Sequence, residues 1–299
     1  MKHLMVQTNT STRFTVRVAI IALFAAVLFL LPFDAARAAT AAPNLGSAGS
    51  FAVLAGTAVT CTDSTVTGDV GVYPGTSVTQ TNCTIDGTVH AGNGVAQQAY
   101  LDFISAYDSL ALLNNTCDLA HTLTGTLAGV TLLPGVYCVD EVAKTGTLTL
   151  DAQGDANAIW IFLVSDGVGT GALTGTNFNV VMINGGEPCN VYWWVEAAAT
   201  LTTSNFLGTI LAGAAITVTG GTFNGDALAK AAVTLTGATV TACEATGHGN
   251  SGRGKCNQGV GNGPENCDPG NSNQGDPSRS NDELGGTPGN PGRKGGNGK

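Results

Sequence analysis

Apolar and polar positions alternate in short runs through most of this chain, and near residues 200–240 the run itself repeats. Thr200, Thr217 and Thr234 are 17 residues apart, as are Thr202, Thr219 and Thr236. Leu201, Val218 and Leu235 keep the same step between them, and Phe206, Phe223 and Val240 keep it further along. A fixed short period carrying threonine–apolar–threonine triplets predicts a solenoid whose coils stack in register. Within each triplet the strand period of two turns the aliphatic residue inward and both threonines outward. Stacked coils lie about 4.8 Å apart, and alternate residues on one strand about 6.6–6.8 Å apart. The exposed product is a regular grid of hydroxyl and methyl groups.

One stretch departs from the strand pattern. Between Gly94 and Leu113, Val95, Ala96, Ala99, Tyr100, Phe103, Ile104, Tyr107, Leu110 and Ala111 recur at spacings of three and four. That periodicity predicts one amphipathic helix over about 94–113, capped by Asn93 and ended by Asn114–Asn115, lying against the solenoid.

Composition divides the chain into three. Lys2, Arg13 and Arg17 precede an apolar run, Val18 to Leu31, and Ala36-Arg37-Ala38 follows. This reads as a secretory signal over 1–38, cleaved after Ala38, which places the mature chain outside the cell. Residues 39–243 form one domain, long enough to bury a continuous core. Residues 244–299 hold 16 glycines, nine asparagines and five prolines, with Val260 and Leu284 as the large aliphatics. Such a segment cannot offset its ordering entropy and reads as a flexible linker or surface-contact tail. Asp268, Asn271, Asn273 and Asp276 within it miss the spacing of a calcium loop.

Charge and chemistry then narrow the function. Residues 39–243 carry fourteen acidic residues against Lys144 and Lys230, with no arginine. That surface neither neutralises phosphates nor draws anionic lipid, so neither nucleic acid nor membrane insertion of the mature chain is expected. The eight cysteines favour disulfides in an oxidising compartment, Cys61–Cys83 and Cys256–Cys267 being plausible neighbour pairs among many. No zinc-type cysteine spacing, GxSxG, P-loop or dinucleotide fingerprint occurs. Asp151 and Asp155 flank a Gln-Gly turn and read as turn-forming residues rather than an acid/base dyad. His90 and His121 read as surface or capping residues. Neither catalysis nor a cofactor or metal is expected.

Five segments together carry a family resemblance: LGSAGSFAVLAGTAVT (45–60), GDVGVYPGT (68–76), LLPGVYCV (132–139), GTLTLDAQGDANAIWIF (146–162) and INGGEPCNVYWWV (183–195). In this order they resemble the DUF3494 family of microbial ice-binding proteins, over nearly all of 45–243 but not the tail. The resemblance implies a mostly β fold, a right-handed β-helix (β-solenoid) of roughly triangular section with one long α-helix packed alongside. It also implies a discontinuous order of coils, in which the first strands need not stack on the next segment.

The family's ice-binding members use one flat face, which in some carries a T-[AG]-x-[TN] motif. Thr174-Gly175-Thr176-Asn177, Thr219-Gly220-Gly221-Thr222 and Thr236-Gly237-Ala238-Thr239 fit it, while Thr202-Thr203-Ser204-Asn205 has a threonine in the small position. The expected ice-contacting residues are therefore Thr174, Asn177, Thr200, Thr202, Asn205, Thr217, Thr219, Thr222, Thr234, Thr236 and Thr239. The expected partner is the surface of an ice crystal, met by a monomer, with the tail free to touch a cell surface or matrix. The competing expectation is a surface adhesin or carbohydrate-binding wall on the same fold. A sugar site needs aromatic platforms, and adjacent Trp193 and Trp194 point to opposite faces of a strand.

Overall fold

The computed structural model describes residues 41–117 and 122–243. The signal segment, His121, Cys256, Cys267 and the rest of the tail lie outside the described residues. Short parallel strands assemble into a nine-stranded and an eleven-stranded sheet, wound as a right-handed β-helix with one long helix alongside.

Coil order is discontinuous. Phe51–Ala55 pairs with Ala227–Ala229, and Ala58–Thr62 pairs with Val233–Thr236. The N-terminal coils thus stack on the last coil of the chain and extend the solenoid beyond it. The chain must then return to the opposite end, since Val89–Ala91 and Thr122–Leu123 are the two outer strands of the nine-stranded sheet. Helix α1, Gly94–Asn114, makes that return. Its 21 residues span about 32 Å. Nine strands at about 4.8 Å separation occupy about 38 Å, so one helix and a short link suffice.

The helix starts where expected, with Asn93 Oδ1 accepting the Ala96 N–H at 3.0 Å. It buries Ala96, Ala99, Phe103, Ala106, Tyr107 and Leu110. Val95 departs from the sequence expectation: it is 52% exposed, because the buried stripe starts one residue later, at Ala96. Beneath the helix lie Phe51, Leu54, Ile161, Leu163, Tyr192, Trp194, Leu211 and Leu228. The nine-stranded sheet is therefore covered on both faces, which explains why WIFLV (160–164) and VYWWV (191–195) are continuously apolar rather than alternating. Two tyrosines fasten α1 to turns of the solenoid: Tyr100 Oη donates to Lys230 O at 3.3 Å, and Tyr107 Oη to Glu196 O at 3.0 Å.

On the inner side of the same sheet, Phe162 stacks on Trp193 at 3.9 Å between ring centroids. Trp193 then meets Phe206, which stacks on Phe223. Disulfides link Cys61–Cys83, Cys117–Cys138 and Cys189–Cys243. The first is the neighbour pair expected from sequence, and the second ties the segment after α1 to the sheet that α1 covers.

Candidate threonine face

The eleven-stranded sheet forms the other two sides of the solenoid, two limbs meeting at a corner. The corner residue is left-handed in six successive coils: Asn177 (φ 47°), Thr203 (50°), Gly220 (66°), Gly237 (62°), Asp63 (49°) and Asn82 (48°). The third residue of each corner turns inward, and two of these are buried serines. Ser204 Oγ accepts the Phe178 N–H and donates to Thr202 O; Ser64 Oγ accepts the Ala238 N–H and donates to Thr62 O. A serine hydroxyl thus replaces the backbone partner that the bend removes.

The first limb carries two uninterrupted threonine rows. One runs Thr174, Thr200, Thr217, Thr234, Thr60, Thr79; the other runs Thr176, Thr202, Thr219, Thr236, Thr62, Thr81. Between them the inward column is Gly175, Leu201, Val218, Leu235, Cys61 and Gln80. The pairing is register-true through all six coils, so the hydroxyl and methyl groups keep the strand spacing in both directions. No charged side chain stands in either row.

Beyond the corner a third row continues on the second limb: Thr147, Asn179, Asn205, Thr222, Thr239, Thr65 and Thr84. Part of it is tied side chain to side chain. Asn205 Nδ2 donates to Asn179 Oδ1 at 2.8 Å, and Thr222 Oγ1 donates to Asn205 Oδ1 at 2.8 Å.

Ten of the eleven expected residues fall in these three rows; Asn177 does not. The quartet that matches its neighbours is Thr176-Asn177-Phe178-Asn179, shifted two residues from the TGTN match at 174–177. Thr174 accordingly stands beside Thr200, Thr176 beside Thr202, and Asn177 at the corner. Packing decides between the two matches, because Phe178 is fully buried and meets Trp193 and Phe206. Thr203, the departure from the small-residue position, takes the corner conformation and leaves the row at Thr202 unbroken.

Sequence reasoning missed Thr60, Thr62, Thr79 and Thr81 in the two first-limb rows, and Thr65 and Thr84 in the third. Their signal was present: Thr62-Asp63-Ser64-Thr65 and Thr81-Asn82-Cys83-Thr84 carry the same spacing, with Asp and Asn tolerating the left-handed corner. Thr60, Thr62 and Thr65 stand beside Thr234, Thr236 and Thr239, with Thr79, Thr81 and Thr84 one coil beyond; that place depends on the discontinuous coil order, which periodicity alone does not reveal.

Other chemistry is sparse. Asp151 Oδ1 accepts Gln153 N–H and Asn184 Nδ2–H, and the Asn184 bond, then the Gln153 bond, hold its carboxyl below the usual range. Asp155 Oδ1 accepts the Asn157 N–H, so both aspartates serve turns. His90 lies 3.7 Å from Asp69 and 3.2 Å from the capping Asn93. Trp193 and Trp194 are both buried, at 0% and 3% exposure, so neither offers an aromatic platform. Among the described residues no cluster of three His, Cys, Asp or Glu side chains could hold a metal ion. No helix among them is long and apolar enough to cross a membrane.

Known proteins resemble this chain in sequence and fold. A protein-family model described as ice-binding-like matches residues 53–241. An ice-binding protein of Nostoc sp. (strain HG1) is 38% identical over 196 residues, covering 64% of this chain and 70% of that protein. Ice-binding protein 1 of Shewanella frigidimarina (strain NCIMB 400) is 30% identical over 205 residues, 57% of this chain but 22% of the relative, which is thus several times longer than the shared region. The crystal structure of an ice binding protein from an Antarctic biological consortium superposes with a TM-score of 0.61 at 35% identity, covering 71% of this chain and 95% of that one. The ice-binding protein from the Antarctic ascomycete Antarctomyces psychrotrophicus gives 0.60 at 35% identity, over 68% and 98%. The matched span takes in both first-limb threonine rows and the returning helix, and with them the chain belongs to the ice-binding-like family.

Proposed function

We infer that this protein binds ice, and that it does so through the two threonine rows of the first limb, bordered by the third row past the corner. The observation that carries the reading is the twelve-threonine grid, six coils long and in register throughout. Each threonine presents a methyl and a hydroxyl at strand spacing, which suits a lattice-like water layer held between the methyls. A single such contact is weak, so rigidity, flatness and repetition supply the affinity. The stacked aromatic core and the corner serines supply the rigidity. Bound molecules then pin the crystal front, which must curve between them to advance. The reading requires neither a nucleophile nor a cofactor.

The signal-like N-terminus supports secretion, so that the protein meets ice outside the cell. The carbohydrate-wall alternative loses its candidate platforms with the burial of both tryptophans.

The test is ice-recrystallisation inhibition and thermal hysteresis of the secreted chain beside a Thr219→Tyr variant. Thr219 is exposed in the middle of its row, so a ring there lifts the face off a flat lattice without touching the core. Activity in the parent, sharply reduced in a folded variant, is the expected result. An active parent with an unaffected variant moves the site to another face, and an inactive folded parent removes the ice reading.

A further inference from the structure

The two ends of the solenoid differ. At one end the loop between Thr122–Leu123 and Thr131–Leu132 turns Leu127 into the core, where it is 3% exposed. Lys144, 1% exposed, is held under this end by Asp140 and by Gly125 O. That end is plugged.

Among the described residues the other end is open. Its last coil consists of Ser77–Thr81, Thr84–Asp86 and Val89–Ala91, each strand paired on one side only. Inward positions that are buried in the next coil meet solvent here. Gln80, which ends the column of Leu201, Val218, Leu235 and Cys61, is exposed, and Val89 is 39% exposed. Val78, Cys83 and Ile85 are half-buried.

Natural sheet edges are usually protected by charge, proline, a bulge or a covering loop. The strand Ser77–Thr81 has no charge and no proline, and its pairing with Ala58–Thr62 is free of register shifts. Across 77–91 the ionisable side chains are Asp86 and His90, apart from the disulfide-bonded Cys83, and His90 is already beside Asp69. The Cys61–Cys83 disulfide fastens this coil to its neighbour, so the open edge is a firm template rather than a fraying end.

We propose that this open end docks against the same end of a second copy, forming a two-fold end-to-end dimer. Three strand edges set around two corners are matched by the end of another β-helix and not by a single extended peptide. The plugged end cannot serve as the mate, because Leu127 and its loop occupy it, so the contact is isologous and closes at two copies. In a two-fold arrangement the uncharged edge strand meets its own mate antiparallel, which satisfies its free N–H and C=O groups. Gln80, Val78 and Ile85 are then covered, and a chain that is acidic overall meets its copy along an edge strand, Ser77–Thr81, that carries no charge. The pairing does not rest on ice binding.

The experiment is sedimentation equilibrium of the secreted chain over a concentration series, with Gln80→Lys and Gln80→Leu beside it. The parent is expected to pass from monomer to dimer as concentration rises. Gln80→Lys, at a site already exposed in the single copy, is expected to weaken the dimer at least about tenfold with an unchanged thermal melt. Gln80→Leu is expected to strengthen it. A parent that stays monomeric throughout overturns the proposal, and so does a dimer that Gln80→Lys leaves intact. Should the lysine variant misfold, amide hydrogen exchange of the parent decides: 77–91 is expected to slow as concentration rises, and concentration-independent exchange there refutes the dimer.

Discussion

Thr176 stands beside Thr202 in the eleven-stranded sheet, and Thr174 stands beside Thr200. This two-residue difference from the motif match settles which side chains extend each row into the coil of residues 173–183. It also separates two neighbours by role, one in a row and one at the corner. Replacing Thr176 by Tyr is expected to reduce ice-recrystallisation inhibition about as far as Thr219→Tyr does. Asn177→Gly is expected to keep the parent's activity, because it alters only the left-handed corner. The paired assays check register directly: a sensitive Asn177 with an indifferent Thr176 contradicts the row assignment.

The corner at Thr203 stores backbone strain. Its φ of 50° is a region that β-branched residues avoid, whereas Gly220 and Gly237 take the same place in the next two coils without penalty. Thr203→Gly is therefore expected to stabilise the domain by about 1 kcal/mol. For a domain of this size that corresponds to a melting temperature higher by about 2–4 °C. Calorimetry reads it, and an unchanged or lower melting temperature rejects the strain argument.

Ser204 sits one position further in, at 2% exposure, and its hydroxyl oxygen accepts the Phe178 N–H. Ser204→Ala leaves that buried donor without its acceptor, at an expected cost of about 1–3 kcal/mol. Chemical denaturation gives the value. A loss well below that range means that Phe178 finds another acceptor.

How much of this was legible beforehand follows from what each signal depends on. The 17-residue ladder and helix α1 were readable because both rest on local periodicity. Leu201, Val218 and Leu235 face inward as their alternation requires, and Asn93 caps the helix as its side chain allows. The placement of Thr60 beside Thr234, and of Thr79 beside Thr60, was not readable from spacing. It arises because the N-terminal coils join the C-terminal one, a long-range choice that leaves no period in the sequence. The corner position of Asn177 was hidden for a different reason. Two overlapping quartets satisfied the same motif, and only the burial of Phe178 against Trp193 chooses between them. The exposure of Gln80 likewise had no local mark, since whether a coil is terminal depends on how all the others stack.

The helix anchor makes stability depend on alkaline pH. Burial first, then the charges of Glu196 and Asp108, push the Tyr107 hydroxyl up to about 12. Burial, with Asp226 second, pushes Tyr192 to about 12 as well. An unfolded tyrosine ionises near its ordinary value of 10.0. Between these values the unfolded chain has released protons that the folded one retains, so unfolding gains on folding as pH rises. The stabilisation is complete below about pH 10 and is lost as pH climbs through about 12. Tyr107→Phe removes one of the two groups together with its bond to Glu196 O, and is expected to lower stability at neutral pH by about 1 kcal/mol. The same variant is expected to show a shallower fall between about pH 10 and 12, because one raised tyrosine is gone while Tyr192 and Tyr100, the latter also raised by burial, still release their protons on unfolding. Denaturation curves for parent and variant at pH 8 and across that window measure both effects. Parallel pH profiles for the two proteins would show that Tyr107 is already ionised, or already exposed, in the folded chain.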